Sequence, residues 1–239
     1  MIKVYYTKIK ELAEFCKAKQ ETDCKEDCIC EKAMSDNLVN KQRRSKILRC
    51  KNKEDKLRSL MVGLLLRYAL EQEGIDYEKA EFTYETHGKP ILLQMKNAKK
   101  ELFFNLSHCK NYVGCVISDK NIGIDLEEST RTLFLPEKEQ QLLSMAKRIC
   151  TKEEYTYILD LSKEERILAY LEIWTRKESF AKEDGRGIAI GLQNIQVLES
   201  KDFETKWITD EVCMSIYQKN MAETVCDYHC ILYKELLPN

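Results

Sequence analysis

Hydrophobic positions along this chain fall into two long helical stripes, each accompanied by short strand-like runs. In the first stripe Leu57, Leu60, Met61, Leu64, Leu65 and Tyr68 recur at i, i+3, i+4, i+7, i+8 and i+11, one face of a helix that Gly74 would end. In the second, Ile167, Leu168, Leu171, Trp174 and Ala181 recur near helical spacing. Ser162 and Glu165 form the capping box that opens it, and Gly185 offers a left-handed stop. Thr151 and Glu154 form another capping box within a helical region that begins at Pro136, and a further helical stretch surrounds Leu12 and Phe15.

Strands are expected at residues 2–6 (IKVYY), 82–84, 102–108 (LFFNLSH), 112–118 (YVGCVIS) and 122–128 (IGIDLEE). The turn at residues 119–121 joins the last two, and THGKP (residues 86–90) reads as another turn. After the second long helix, GRGIAIGL, NIQVLE, VCMSIYQ and TVCDYHCIL read as strands of a mostly antiparallel sheet. Each half of the chain therefore pairs one long helix with several strands. No sequence repeat or linker separates the halves, and the boundary falls near residue 119.

Composition narrows the classes. Lys and Arg number 39 against 40 Asp and Glu, which argues against a general nucleic-acid binder. No signal sequence and no apolar run near the roughly 20 residues of a membrane span are present. The 11 cysteines, several of them inside apolar runs (Cys115, Cys213), suit reduced thiols in a cytoplasmic protein better than a disulfide scaffold. Cys24, Cys28 and Cys30 lie in a charge-rich segment without four zinc ligands at familiar spacing, so a solvated insertion is the expectation there.

Chemistry concentrates in three places. Residues 41–56 are dense in Lys and Arg, either a solvated face or a clamp for a phosphate-bearing ligand. Asp125 and Glu127, two apart on a strand, point to one face; such a pair is either a solvent-facing edge or part of a site for a hard cation with oxygen ligands. Trp174, Glu178 and Lys182 stack along one side of the second long helix, where Glu178 and Lys182 could equally be a surface ion pair. Trp174 is expected in the core. His87 and His229 have no supporting context.

In order, the basic run, HGKP, NLSH, IGIDLE and W-x-x-KES-x-x-K-x-x-G-x-G resemble the 4'-phosphopantetheinyl transferases of the larger, surfactin-synthetase-activating type. The resemblance covers about two thirds of the chain, roughly residues 41–192. It implies an α+β fold of two similar α/β halves related by a pseudo-twofold axis, residues 1–119 (coenzyme A-binding, with the basic clamp) and 120–239 (magnesium-binding and catalytic). It also implies transfer of the 4'-phosphopantetheine arm of coenzyme A to a serine of an apo acyl or peptidyl carrier protein, releasing adenosine 3',5'-bisphosphate. Magnesium (or manganese) would be held by Asp125, Glu127 and Glu178, with Lys182 neutralising the leaving phosphate and Glu178 serving as base, directly or through a water. Ligand-binding positions fall on Lys89, Ser107, His108 and Lys182, and in the basic run on Arg43, Lys46 and Arg58. The resemblance further implies a cytoplasmic monomer. After Ser107–His108 the family often has a small residue and a glycine, where this chain has Cys109 and Lys110. Residues 133–135 are expected to supply an apolar lip for the carrier. The competing readings are a non-catalytic coenzyme A or carrier-binding module and a structural protein whose charges are surface ion pairs.

Overall fold

The computed structural model describes residues 1–9, 38–85, 88–93, 101–129, 138–222 and 224–237. The elements are β1 (Ile2–Lys8), α1 (Lys41–Arg49), α2 (Lys53–Gln72), β2 (Glu81–Tyr84), β3 (Pro90–Leu93), β4 (Phe103–His108), β5 (Tyr112–Ser118), β6 (Gly123–Glu128), α3 (Glu139–Ile149), α4 (Lys152–Asp160), α5 (Lys163–Asp184), β7 (Phe203–Thr209), β8 (Val212–Tyr217) and β9 (Cys226–Cys230).

The two halves repeat one motif: a strand, a long helix, then a hairpin whose second strand returns beside the first. In the N-terminal half β1 lies antiparallel to β5, which lies antiparallel to β4. In the C-terminal half β6 lies antiparallel to β8, which lies antiparallel to β7. The last strand, β9, crosses back and joins the first sheet parallel to β1, giving the order β4-β5-β1-β9 beside β6-β8-β7. A separate two-stranded sheet pairs β2 with β3. The chain ends are thus tied to one sheet.

Alternation along the strands builds the layers. Tyr5, Val113, Cys115 and Ile117 face α2 and meet Leu60, Leu64 and Leu65 of its apolar stripe. Ile2, Val4 and Val116 point the other way and pack on Ile124, Leu126, Met214 and Ile216 of the second sheet. Helix α5 covers the far side of that sheet. Full burial of each such Leu or Ile contributes about 1.5–3 kcal/mol, so the stripes hold both helices in place. Cys115 and Cys213 are fully buried free thiols, as their apolar context predicts. Asn52, Thr151 and Ser162 cap α2, α4 and α5 through their side chains, and both predicted capping boxes form. Gly185 takes φ +86° and ends α5.

Two expected strands are corrected. GRGIAIGL and NIQVLE are 3₁₀ turns (Gly187–Ile190 and Leu192–Asn194) followed by irregular chain. Gly187 and Gly191 adopt positive φ, 62° and 78°, outside the extended region that a regular ladder requires. Side chains also capture the backbone that a ladder would need: Lys177 Nζ donates to the Leu192 and Ile195 carbonyls, and the Val197 amide donates to Glu154 Oε1 at 2.8 Å. Strand β7, helix α1 and strand β3 are additions to the predicted set. The expected helix near Leu12 and Phe15, the cysteines at 24, 28 and 30, His87 and the 133–135 lip lie outside the described residues. No helix among the described residues is long and apolar enough to cross a membrane.

Candidate active site

Strand β6 and helix α5 assemble the acids. At Gly123 the two backbones touch, and from there Asp125 and Glu127 follow on one face of the strand while Glu178 and Lys182 follow on one face of the helix. Asp125 is buried, 5% exposed. Its Oδ1 accepts from Ser107 Oγ at 2.9 Å and from Lys182 Nζ at 2.6 Å, and Lys182 also donates to Ser107 Oγ at 2.6 Å. Three residues from β4, β6 and α5 thus close one triangle across the two halves. The Leu126 amide donates to Ser107 Oγ as well, so the hydroxyl is fully committed.

The remaining carboxylate oxygens are less satisfied. Asp125 Oδ2 and Glu178 Oε1 are buried without a hydrogen-bond partner, a costly state for two neighbouring acids. Burial, then the Asp125 carboxylate, push the Glu178 carboxyl up to about 7. Burial and Asp125 also raise Glu127, whose Oε1 accepts from Trp174 Nε1 at 3.0 Å. Among the described residues no group of three or more acidic, His or Cys side chains is placed to hold a metal ion by itself. The donor set nonetheless suits magnesium, which takes one or two protein carboxylates and completes its shell with substrate phosphates and water. Two orphaned carboxylate oxygens beside a third acid are the observation that makes the fit.

Next to the acids runs a cleft of about 350 Å³ whose lining includes Arg43, Lys46, Lys89, Ser107, His108 and Lys182. It joins in one place all the expected ligand-binding positions except Arg58, drawn from α1, β4, α5 and the turn before β3. Helix α1, capped by Asn40, presents Arg43 and Lys46 one turn apart. Burial lowers the pKa values of Arg43, Lys46 and Lys89, the proximity of Arg43 adding to the effect at Lys46. His108 is pushed down to about 4 by burial and then by Arg58, Lys182, Lys46 and Arg43, so it is neutral at pH 7 and surrounded by fixed positive charge. Such a cleft attracts a polyanion. Arg58 is not on its wall; its Nη1 pairs with Asp55 at 2.7 Å, although its charge reaches His108. Lys89 Nζ donates to Asn121 Oδ1 at 2.8 Å and to the Glu183 carbonyl at 2.6 Å, hooking the N-terminal half to the end of α5.

Sequence reasoning missed two residues of the motif helix. Trp174, expected only as core, packs its ring against the α3–α5 core and turns its N–H to Glu127. Lys177 is fully buried in an ion pair with fully buried Glu154 at 2.8 Å. The tilt of the motif, with Trp174 one turn before Glu178, was the available signal for the first; nothing in the spacing pairs Lys177 with Glu154.

Residues 121–224 match the family model described as the 4'-phosphopantetheinyl transferase superfamily, and residues 30–120 match the one described as 4'-phosphopantetheinyl transferase, N-terminal. The chain is 30% identical over 167 residues to the 4'-phosphopantetheinyl transferase Sfp of Bacillus subtilis (strain 168), covering 70% of this chain and 69% of that protein. It is 27% identical over 198 residues to the 4'-phosphopantetheinyl transferase gsp of Aneurinibacillus migulanus (82% and 73%). A third relative, the 4'-phosphopantetheinyl transferase HetI of a Nostoc species, is 35% identical over 142 residues (59% and 53%).

Proposed function

The chain belongs to the 4'-phosphopantetheinyl transferase superfamily, and from that premise we propose how its cleft and acids carry out the transfer. It is an enzyme that moves the 4'-phosphopantetheine arm of coenzyme A to a carrier protein. The finer reading is that the acceptor is a serine hydroxyl, that a divalent cation takes part, and that adenosine 3',5'-bisphosphate leaves.

Arg43, Lys46 and Lys89, with neutral His108 among them, line the cleft as the grip for the phosphates of coenzyme A, whose negative charge offsets the crowding of the three cations. Asp125, Glu127 and Glu178 are the residues that would hold magnesium, which supplies charge neutralisation on the diphosphate. Lys182 lies between the cleft and Asp125 and stabilises charge developing on the departing phosphate. In the transfer the serine oxygen forms a bond to phosphorus while the bond from that phosphorus to the bridging diphosphate oxygen breaks. The hydroxyl proton needs an acceptor; Glu178, directly or through a water, is the proposed one.

The observation that carries this reading is the meeting of Ser107, Asp125 and Lys182 at the wall of a cationic cleft, with two unpartnered carboxylate oxygens beside it. A cytoplasmic monomer serving acyl or peptidyl carriers, with its N-terminal 119 residues binding coenzyme A, completes the proposal. The test is incubation of an apo-carrier with coenzyme A and magnesium, with and without EDTA, read by mass spectrometry. A gain of one phosphopantetheine arm that EDTA abolishes supports the reading; binding of coenzyme A without any transfer would mean a non-catalytic module instead.

A further inference from the structure

Each of two acids in the site has one oxygen tied to a protein donor. Asp125 Oδ1 takes Ser107 and Lys182; Glu127 Oε1 takes the indole N–H of Trp174. The other Asp125 oxygen is left buried and unpartnered. Trp174 is itself fixed: its ring stacks on Tyr170 at 6.5 Å and 15°, and it packs against the core under α3 and α5. A half-buried indole N–H needs an acceptor, and a backbone carbonyl or water would satisfy it. Here the acceptor is instead a carboxylate that repulsion from Asp125 would otherwise turn away. Trp174 also lies one turn before Glu178, so the same helix face that brings the third acid brings the donor.

We propose that Trp174 is a positioning residue for the cation site, its N–H holding one oxygen of Glu127 so that the other remains available beside Asp125 and Glu178. This rests on the proposed cation site. The role differs from core packing because it acts through the N–H and not through the ring. Outer partners of this kind typically alter metal affinity by about 10- to 100-fold. Trp174 is not on the wall of the basic cleft, so coenzyme A binding in EDTA is expected to be independent of it.

The experiment measures Mn²⁺ binding by the electron paramagnetic resonance signal of free Mn²⁺, with coenzyme A present, for the wild type and W174F. Coenzyme A affinity is measured separately in EDTA. Mn²⁺ binding about tenfold or more weaker in W174F, with unchanged coenzyme A affinity, is the expected result. Equal Mn²⁺ affinity in the two proteins overturns the inference while leaving the cation site intact. A wild type that binds no Mn²⁺ overturns the cation site and the inference together. Should W174F melt lower than the wild type, the comparison moves to W207F protein carrying at position 174 either tryptophan or its benzothiophene analogue, which keeps the ring outline and lacks the N–H. Equal Mn²⁺ affinity in that pair again overturns it, and weaker binding by the analogue supports it.

Discussion

Gly123 and Ser179 meet backbone to backbone: a methyl group at position 123 would stand 1.9 Å from the Ser179 carbonyl oxygen. That approach sets the distance between β6 and α5, with Asp125 two residues after Gly123 and Glu178 directly before Ser179. The glycine of GIDLE is therefore a steric requirement of the site itself.

Substituting Gly123 with Ala forces α5 away from β6. Overpacking of this kind costs about 1–3 kcal/mol, so the melting temperature should fall. Transfer activity per folded molecule should fall further, since the acids on the two elements separate. Thermal denaturation alongside single-turnover transfer checks both. A G123A protein with wild-type stability and rate would contradict the contact.

Much of this was legible in the chain. The apolar stripe from Leu57 to Tyr68 and the two capping boxes are local patterns, and local patterns specify local structure. Asp125 and Glu127 could be read as a pair because a strand has period two. What stayed hidden depends on distant partners. The segment after Gly187 is apolar enough for a strand, yet its carbonyls go to Lys177 and its Val197 amide to Glu154, residues 43 or fewer positions away in sequence but on other elements. Trp174 looks like core because its ring is core; only the fold reveals where its N–H points.

The Lys177–Glu154 pair should behave as a buried ion pair. Removing one charge leaves the other uncompensated, at a typical cost of about 3–5 kcal/mol, whereas replacing both with apolar residues is often neutral. K177M alone is expected to be strongly destabilised and the K177M/E154M double variant to recover much of the loss, by chemical denaturation. If the double variant is as unstable as the sum of the singles, the carbonyl bonds of Lys177 dominate over the ion pair.

Glu178 gives a pH dependence with a definite sign. Burial and Asp125 raise its carboxyl from 4.5 to about 7 in the folded protein. Below pH 4.5 it is neutral in both states and has no effect. Between 4.5 and 7 the unfolded chain ionises first, so the folded state loses stability as pH rises, and the loss is complete above about 7. Melting temperatures of cation-free wild type and E178Q should therefore diverge across that interval, in favour of E178Q. Parallel curves would mean that Glu178 is not crowded by burial and Asp125.

His108 runs the other way. Its pKa falls from 6.5 to about 4, so its contribution disfavours folding only as pH drops below 6.5. Proton NMR of the free protein should show an imidazole resonance with no titration between pH 8 and about 5. Added coenzyme A, bringing negative charge among Arg43, Lys46 and Lys182, should move its midpoint upward. A midpoint near 6.5 in the free protein would show that the cationic cluster does not surround it.

In the proposed site Asp125, Glu127 and Glu178 share one divalent cation beside the diphosphate of coenzyme A. A crystal grown with coenzyme A and Mn²⁺ tests it through the anomalous difference map. A single strong peak is expected in bonding contact with Asp125 Oδ2 and Glu178 Oε1, beside a diphosphate lying in the cleft of Arg43, Lys46 and Lys182. A peak away from these carboxylates, or coenzyme A bound in that cleft with no peak at all, would contradict it.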